Sequence, residues 1–391
     1  MDINMFTRLL SIQKNTEDSF FLFGPRGVGK TSWIKAQFKD AIYFDLLHDD
    51  TYRELLARPV RLSEKIPNDY NGWIAIDEIQ KIPALLNEVH RLIENRKLKF
   101  ILTGSSARSL RRKGVNLLGG RALTYHMHPL TVAEIKDDFN LTKALEFGHL
   151  PKAVTSSNPK QYLQSYIKTY LREEVYQESL TRNISLFSRF LEVASFFQGG
   201  ILNYTEISRE IFSNRHTVGN FFDILEDLLI AYRIPVFRKR AKRALISHPK
   251  FYYFDTGVFR IIRPKGPLDL VTEIDGAGLE TLFLQEVKAY NDYFRLEYEF
   301  YYWRTENQQE VDFVLYGNNG FLAFEIKRKE KLYSSDFSGL KAFANDYPEA
   351  KLFMLYGGSE KYMESNIQVI PFKQALIDLP QIMRASIRVR E

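Results

Sequence analysis

The chain has 391 residues, with 54 Lys and Arg against 48 Asp and Glu, a net charge of +6, 45% hydrophobic residues and no cysteine. Such a length exceeds what one core usually fills and suggests two or three domains, and the missing cysteines exclude disulfides, thiolate zinc sites and cysteine nucleophiles. Any metal is then expected on oxygen ligands, as Mg²⁺ is, and the lack of an apolar run of about 18 residues or of a signal-peptide pattern points to a soluble, cytoplasmic protein off the membrane.

Up to about Ile135, short apolar runs (FFLFG, AIYFDL, WIAIDE, FILTGS, ALTYHMHPL) alternate with polar helical stretches. This alternation predicts an α/β domain over residues 1–135, a parallel sheet covered by helices. The first run, Phe20 to Phe23, leads into GPRGVGKT, which has the phosphate-loop spacing G-x-x-x-x-G-K-[ST]. Its glycines allow the backbone to fold into a nest of N–H groups, and the following helix adds its positive end. Gly24, Pro25, Arg26, Gly27, Val28, Gly29, Lys30, Thr31 and Ser32 are therefore the candidate ATP-binding residues, with Lys30 on the β- and γ-phosphates and Thr31 on Mg²⁺.

Trp73 to Ile76 form a second buried strand that delivers Asp77 and Glu78 to its C-terminal edge, where open α/β sheets bind ligands. Asp77 suits the Mg²⁺ shell and Glu78 the polarisation of the attacking water, although acids after a strand also serve as helix caps. A third strand ends in Thr103, Gly104, Ser105 and Ser106, small residues suited either to sensing the γ-phosphate or to capping a helix. Arg121, just before the next strand, is the candidate for complementing transition-state charge in its own or a neighbouring subunit, with a surface ion pair as the competing reading.

GPRGVGKT, WIAIDEIQK, ILTGSSARSL, the GRA at 120–122 and HPLTVAEI resemble the AAA-type ATPases of bacteria and archaea that carry an uncharacterised C-terminal domain, relatives of the STAND-like archaeal ATPases. The resemblance implies nucleotide-driven switching or homo-oligomerisation rather than metabolic phosphoryl transfer.

Residues 136–265 read as mostly helical, and within them a winged-helix pattern is visible: helices over 187–197, 204–212 and 217–230, then a β-rich piece as the wing. In such a unit Arg215, His216 and Asn220 face bases, and Arg238, Lys239, Arg240, Lys242 and Arg243 neutralise phosphates of DNA. A lid or subunit contact inside the ATPase is the competing use. HPKFYYFDTGVFR is similar to the segment that closes this module in the same family.

Over residues 266–391 the pattern is helix, paired strands, helix and strand. Glu325 and Lys327, two apart on one strand, face the same way, and hairpin pairing through Gly317 to Gly320 brings Asp312 near them. Glu280 sits on the preceding helix. Asp312 and Glu325 are candidate Mg²⁺ ligands and Lys327 a group that positions or activates water, a set suited to phosphodiester hydrolysis. The layout resembles the PD-(D/E)XK nuclease fold, with Glu280, Asp312, Glu325 and Lys327 matching its helix glutamate, aspartate and E-x-K, while Val311 stands where a proline is usual. The expected protein is an ATPase coupled to a winged helix and a nuclease-like domain acting on DNA. Alternatives are a nucleotide-dependent switch with an inactive binding domain, and a transcription factor that uses ATP as a ligand.

Overall fold

The structure, a computed structural model, describes residues 6–12, 18–105, 110, 118–171, 183–239, 247–266 and 271–384. The chain divides into two compact units, Met1–His128 with Asp227–Leu229, and Pro129–Glu226 with Ile230–Glu391.

The first unit is built on five parallel strands, β1 (Ser19–Phe23), β2 (Ile42–Asp45), β3 (Trp73–Asp77), β4 (Lys99–Gly104) and β5 (Ala122–His126), in the order β2-β3-β4-β1-β5. Every residue of β1 is buried, as are four of the five in β3. Strands covered on both faces need such continuous apolar runs, which is why FFLF and IAI read so clearly. Phe21, Phe23, Ile74, Ile76, Phe100 and Leu102 share a core with Leu85, Leu86, Val89 and Leu92 of the helix Leu85–Arg96. Each such buried side chain contributes about 1.5–3 kcal/mol relative to exposure.

The second unit joins a helical part to a sheet. Helices Ile184–Ser195, Tyr204–Glu210 and Arg215–Asp227 each start behind an asparagine whose side chain accepts a backbone N–H: Asn183 from Leu186, Asn203 from Glu206 and Asn214 from Thr217, at 2.9–3.2 Å. Such caps satisfy donors that a helix start leaves open. Phe187, Phe190, Phe221 and Phe222 pack edge-on or tilted between these helices, and Phe251 closes the group.

Two short strands follow, β6 (Ala231–Ile234) and β7 (Lys250–Tyr253), paired antiparallel. The long helix Val271–Tyr293 then leads to a six-stranded mixed sheet of β8 (Glu299–Arg304), β9 (Glu310–Gly317), β10 (Gly320–Lys327), β11 (Lys351–Tyr356), β12 (Tyr362–Glu364) and β13 (Ile367–Pro371). Its order is β12-β13-β11-β10-β9-β8, with β8, β9 and β10 antiparallel and β10, β11 and β13 parallel. The last two strands and the helix Phe372–Arg384 extend the order of helix, paired strands, helix and strand expected from the sequence.

The β-rich piece read as a wing is attached to this sheet. Val236 bridges to Tyr302, the Phe237 N–H donates to the Tyr302 carbonyl at 2.7 Å, and the Phe237 ring is buried among Tyr301, Tyr316, Phe321 and Tyr347. The helical part and the sheet thus form one packed unit. Among the described residues, no helix is long and apolar enough to cross a membrane.

Candidate nucleotide site and C-terminal acid cluster

The loop after β1 has the conformation its composition demands. Gly27 and Gly29 have φ of 80° and 100°, and a Cβ on Gly24 would lie 2.3 Å from the Met127 carbonyl oxygen. Only glycine meets these conditions without strain. Arg8, which the sequence reading missed, fastens the loop from outside by donating to the Val28 carbonyl at 2.7 Å and the His128 carbonyl at 2.6 Å. Its partners lie 20 and 120 residues away, so no local pattern marks it.

Val28 and Pro25 are buried, whereas Arg26 and Ser32 are exposed. Lys30 opens the helix Lys30–Gln37 and is itself buried, its Nζ donating to the carbonyls of Gly24 at 2.7 Å and Pro25 at 3.2 Å. The ammonium therefore sits across the mouth of the glycine nest, where phosphate oxygens would replace the carbonyls as its acceptors.

Asp77, 3% exposed at the end of β3, gathers hydroxyl donors: Thr31 at 2.6 Å and Tyr43 on one carboxylate oxygen, and Thr103 on the other. Thr103 also accepts the Glu78 N–H at 3.0 Å. Burial and the Asp77 carboxylate push the Tyr43 phenol far above its ordinary range, so it remains a donor. Glu78 takes left-handed backbone angles, φ 60° and ψ 48°, unusual for a residue with a side chain, and its carboxylate accepts from the Gln80 amide. Gln80 also reaches Ser105 Oγ at 3.2 Å, which links the β3 acids to the hydroxyl-bearing end of β4. Tyr43 and Gln80 lie inside the motifs AIYFDL and IDEIQK, yet only the neighbouring strands show what they hold.

These residues fit a magnesium nucleotide: a backbone loop that requires glycine at 24, 27 and 29, a buried ammonium at its mouth, and a threonine hydroxyl already joined to the strand aspartate. Arg121 is placed elsewhere. It pairs with Glu94, and because β5 runs parallel to β1 with Ala122 level with Ser19, it stands at the opposite edge of the sheet from the loop. The intervening strand spans about 13 Å at the usual rise.

In the second unit, Arg215, His216 and Asn220 are exposed on one helix, His216 Nδ1 and Asn220 Nδ2 being 3.2 Å apart. Lys239 is paired with Glu299 at 2.6 Å and lies over the Tyr316 ring. Arg238 also has partners of its own, while Arg240, Lys242 and Arg243 lie outside the described residues.

Glu280, Asp312, Glu325 and Lys327 are brought together. The register that pairs Phe324 with Phe313 brings Glu325 level with Asp312, and Asp312 accepts the Ile326 N–H at 2.9 Å. Lys327 Nζ lies 2.5 Å from one Glu325 oxygen, while the other, Oε2, is buried without a hydrogen-bond partner. Burial first, and then the Asp312 charge, push the Glu325 carboxyl well above the usual range against the pull of Lys327.

A further lysine occupies this cluster. Lys250, the first residue of β7 and 2% exposed, contacts Glu310 and places Nζ 3.1 Å from Asp312 and 3.8 Å from Glu280. Alternation along β7 explains the geometry. Lys250 and Tyr252 point to the acids, Tyr252 donating to Glu280 at 2.6 Å, while Phe251 and Tyr253 face the helical core. Burial opposes the Lys250 charge, but Tyr252 and the three carboxylates more than offset it and hold the ammonium well above its ordinary range. Burial and Asp312 push Glu280 up to about 7. Among the described residues, no group of three or more His, Asp or Glu is arranged to hold a metal ion.

Comparison with known proteins gives three matches along the chain. Residues 16–136 match the family model of an AAA domain, and residues 138–268 and 275–375 match two domains of unknown function, DUF8612 and DUF4143. Residues 16–136 are thus similar to an AAA domain, the class of nucleotide-binding ATPases. Uncharacterized proteins of Mycobacterium tuberculosis and Mycobacterium bovis are each 26% identical over 365 residues, covering 91% of this chain and 80% of theirs. An uncharacterized protein of Haemophilus influenzae is 22% identical over 218 residues, 51% of this chain and 54% of its own. The crystal structure of protein VC1899 from Vibrio cholerae covers 94% of this chain and 99% of its own at 11% identity and a TM-score of 0.25, a likeness that carries no argument.

Proposed function

We propose that the chain is an ATP-hydrolysing switch in which the nucleotide held by the first unit governs what the second unit binds, without metabolic transfer of phosphate. The observation that carries this reading is the bond from Thr31 to Asp77 beneath a glycine cradle closed by Lys30. Bound Mg²⁺ would neutralise charge on the phosphates. Lys30 would turn from the loop carbonyls to the phosphates, Thr31 and Asp77 would hold the metal and its water shell, and Glu78 would orient the attacking water. Gln80 would set the direction of the Glu78 carboxylate and connect it to Ser105. Steady-state ATP hydrolysis tests this: Lys30→Ala should lower kcat/KM by at least about 10²-fold, and unchanged turnover in that variant overturns the proposal.

Arg121, remote from the cradle of its own chain, supports a charge-complementing role only between copies. On this reading ATP promotes self-association, and Arg121→Ala should lower turnover more at high protein concentration than at low.

The convergence of Asp312, Glu325 and Lys327 favours a second reading, in which the C-terminal sheet cuts DNA with Mg²⁺. Cleavage that needs ATP and divalent metal and is lost in both Asp312→Ala and Glu325→Ala would establish it. The buried Lys250 weighs against it, and the exposed Arg215, His216 and Asn220 support contact with DNA that requires no cutting. Binding that weakens steeply with salt and changes its sequence preference in Asn220→Ala would support such contact; equal binding by both proteins would remove it.

A further inference from the structure

The acid cluster of the second unit holds more carboxylates than its obvious partners balance. Glu280, Glu310 and Asp312 surround one ammonium, Glu325 adds a fourth acid, Arg304 pairs with Glu310 at 2.8 Å, and Lys327 reaches only Glu325 at hydrogen-bond distance, so four acids face three cations. Three of the acids come from neighbouring strands and one from a helix, an arrangement that ordinarily needs a cation. Glu325 Oε2, buried and unpartnered, shows that the protein's own donors do not satisfy every oxygen.

We propose that this pocket is a cation site whose resident ion is the ammonium of Lys250, which excludes a divalent metal while β7 is in place. A metal coordinated by Asp312 and Glu280 would need oxygens that Lys250 already approaches at 3.1 and 3.8 Å, and the two like charges would lie in contact in a buried space. The exclusion depends on the fold of the helical part, because β7 is tied to it through Gly199, whose N–H donates to the Phe251 carbonyl at 2.8 Å, and through Tyr253, which donates to the Leu191 carbonyl at 2.7 Å. Any rearrangement that draws β7 back would leave Glu280 and Asp312 without that ammonium, while Glu310 keeps Arg304.

The test uses Mn²⁺ as probe on the full nucleotide-free chain, with free Mn²⁺ followed by electron paramagnetic resonance. Lys250→Met should gain one bound Mn²⁺ per chain at least about tenfold more tightly than any Mn²⁺ held by the wild type, and Asp312→Asn in that background should abolish the gain. A folded Lys250→Met chain that gains no Mn²⁺ overturns the proposal. Should that variant not fold, thermal unfolding of the wild type with and without Mn²⁺, set against Glu325→Gln, decides the matter. Equal shifts in the two proteins support exclusion by Lys250; a shift that Glu325→Gln removes shows metal coexisting with the lysine and overturns it.

Discussion

Asp77 and Asp312 are both buried, both lie on strands and both follow apolar residues, yet their partners differ in kind. Asp77 is held by three hydroxyls, from Thr31, Tyr43 and Thr103. A hydroxyl can rotate and offer a lone pair, so a cation can enter beside the carboxylate without leaving a donor stranded. Asp312 is held by an ammonium and a backbone N–H, which only donate. A carboxylate's availability to metal is therefore set less by its own burial than by whether its neighbours can change from donor to acceptor.

The largest test of this contrast is Lys250→Met. Removing one partner of a buried ion pair leaves its acids uncompensated, and a loss of about 3–5 kcal/mol in urea unfolding is expected. Asp312→Asn added to the same chain should recover part of it; no recovery would mean that the two residues are not charge partners. On the other side of the comparison, Lys30→Ala should leave folding nearly unchanged while lowering kcat/KM for ATP by about 10²–10³ or more. A chain that instead loses stability by several kcal/mol would make Lys30 a structural cation like Lys250 and erase the distinction.

The same contrast governs how much was legible in the sequence. GPRGVGKT and WIAIDE could be read because each function lies within a few residues of the strand that carries it. The hairpin of Asp312 and Glu325 could be read because β9 and β10 are joined by a short turn. Lys250 could not: it meets Asp312 across 62 residues of chain, and at the head of KFYY it looks like a polar residue entering a strand. Arg238 to Arg243 read as a phosphate-binding run from charge alone, but the acceptor of Lys239 is Glu299, 60 residues on, which no charge count reveals. The strand order that puts Arg121 far from the loop was hidden for the same reason, since strand runs in a sequence carry no label for their neighbours.

A smaller effect separates the sites by pH. Glu280 is raised from its usual 4.5 to about 7, mainly by burial and then by Asp312. The folded chain therefore holds a proton that the unfolded chain releases between these values. This contribution to stability is complete below pH 4.5 and is lost as pH rises through about 7, by up to about 3 kcal/mol. Denaturant unfolding at pH 5 and pH 8 should show the decline, and Glu280→Gln should reduce it. An unchanged slope in that variant would show that Lys250 keeps Glu280 ionised throughout.

The smallest effect concerns Tyr43. Its hydroxyl shares one Asp77 oxygen with Thr31, but the two are not equivalent once a cation is present. Thr31 must then turn its lone pair to the metal, leaving Tyr43 and Thr103 to orient the aspartate. Tyr43→Phe removes one hydrogen bond, about 0.5–1.5 kcal/mol, and should raise the Mg²⁺ concentration for half-maximal hydrolysis roughly two- to tenfold while leaving kcat at saturating Mg²⁺ little changed. A kcat that stays low at saturating Mg²⁺ would place the phenol in the chemical step. An unaltered Mg²⁺ dependence would mean that Thr103 alone orients Asp77, and that the hydroxyl set is more redundant than its geometry implies.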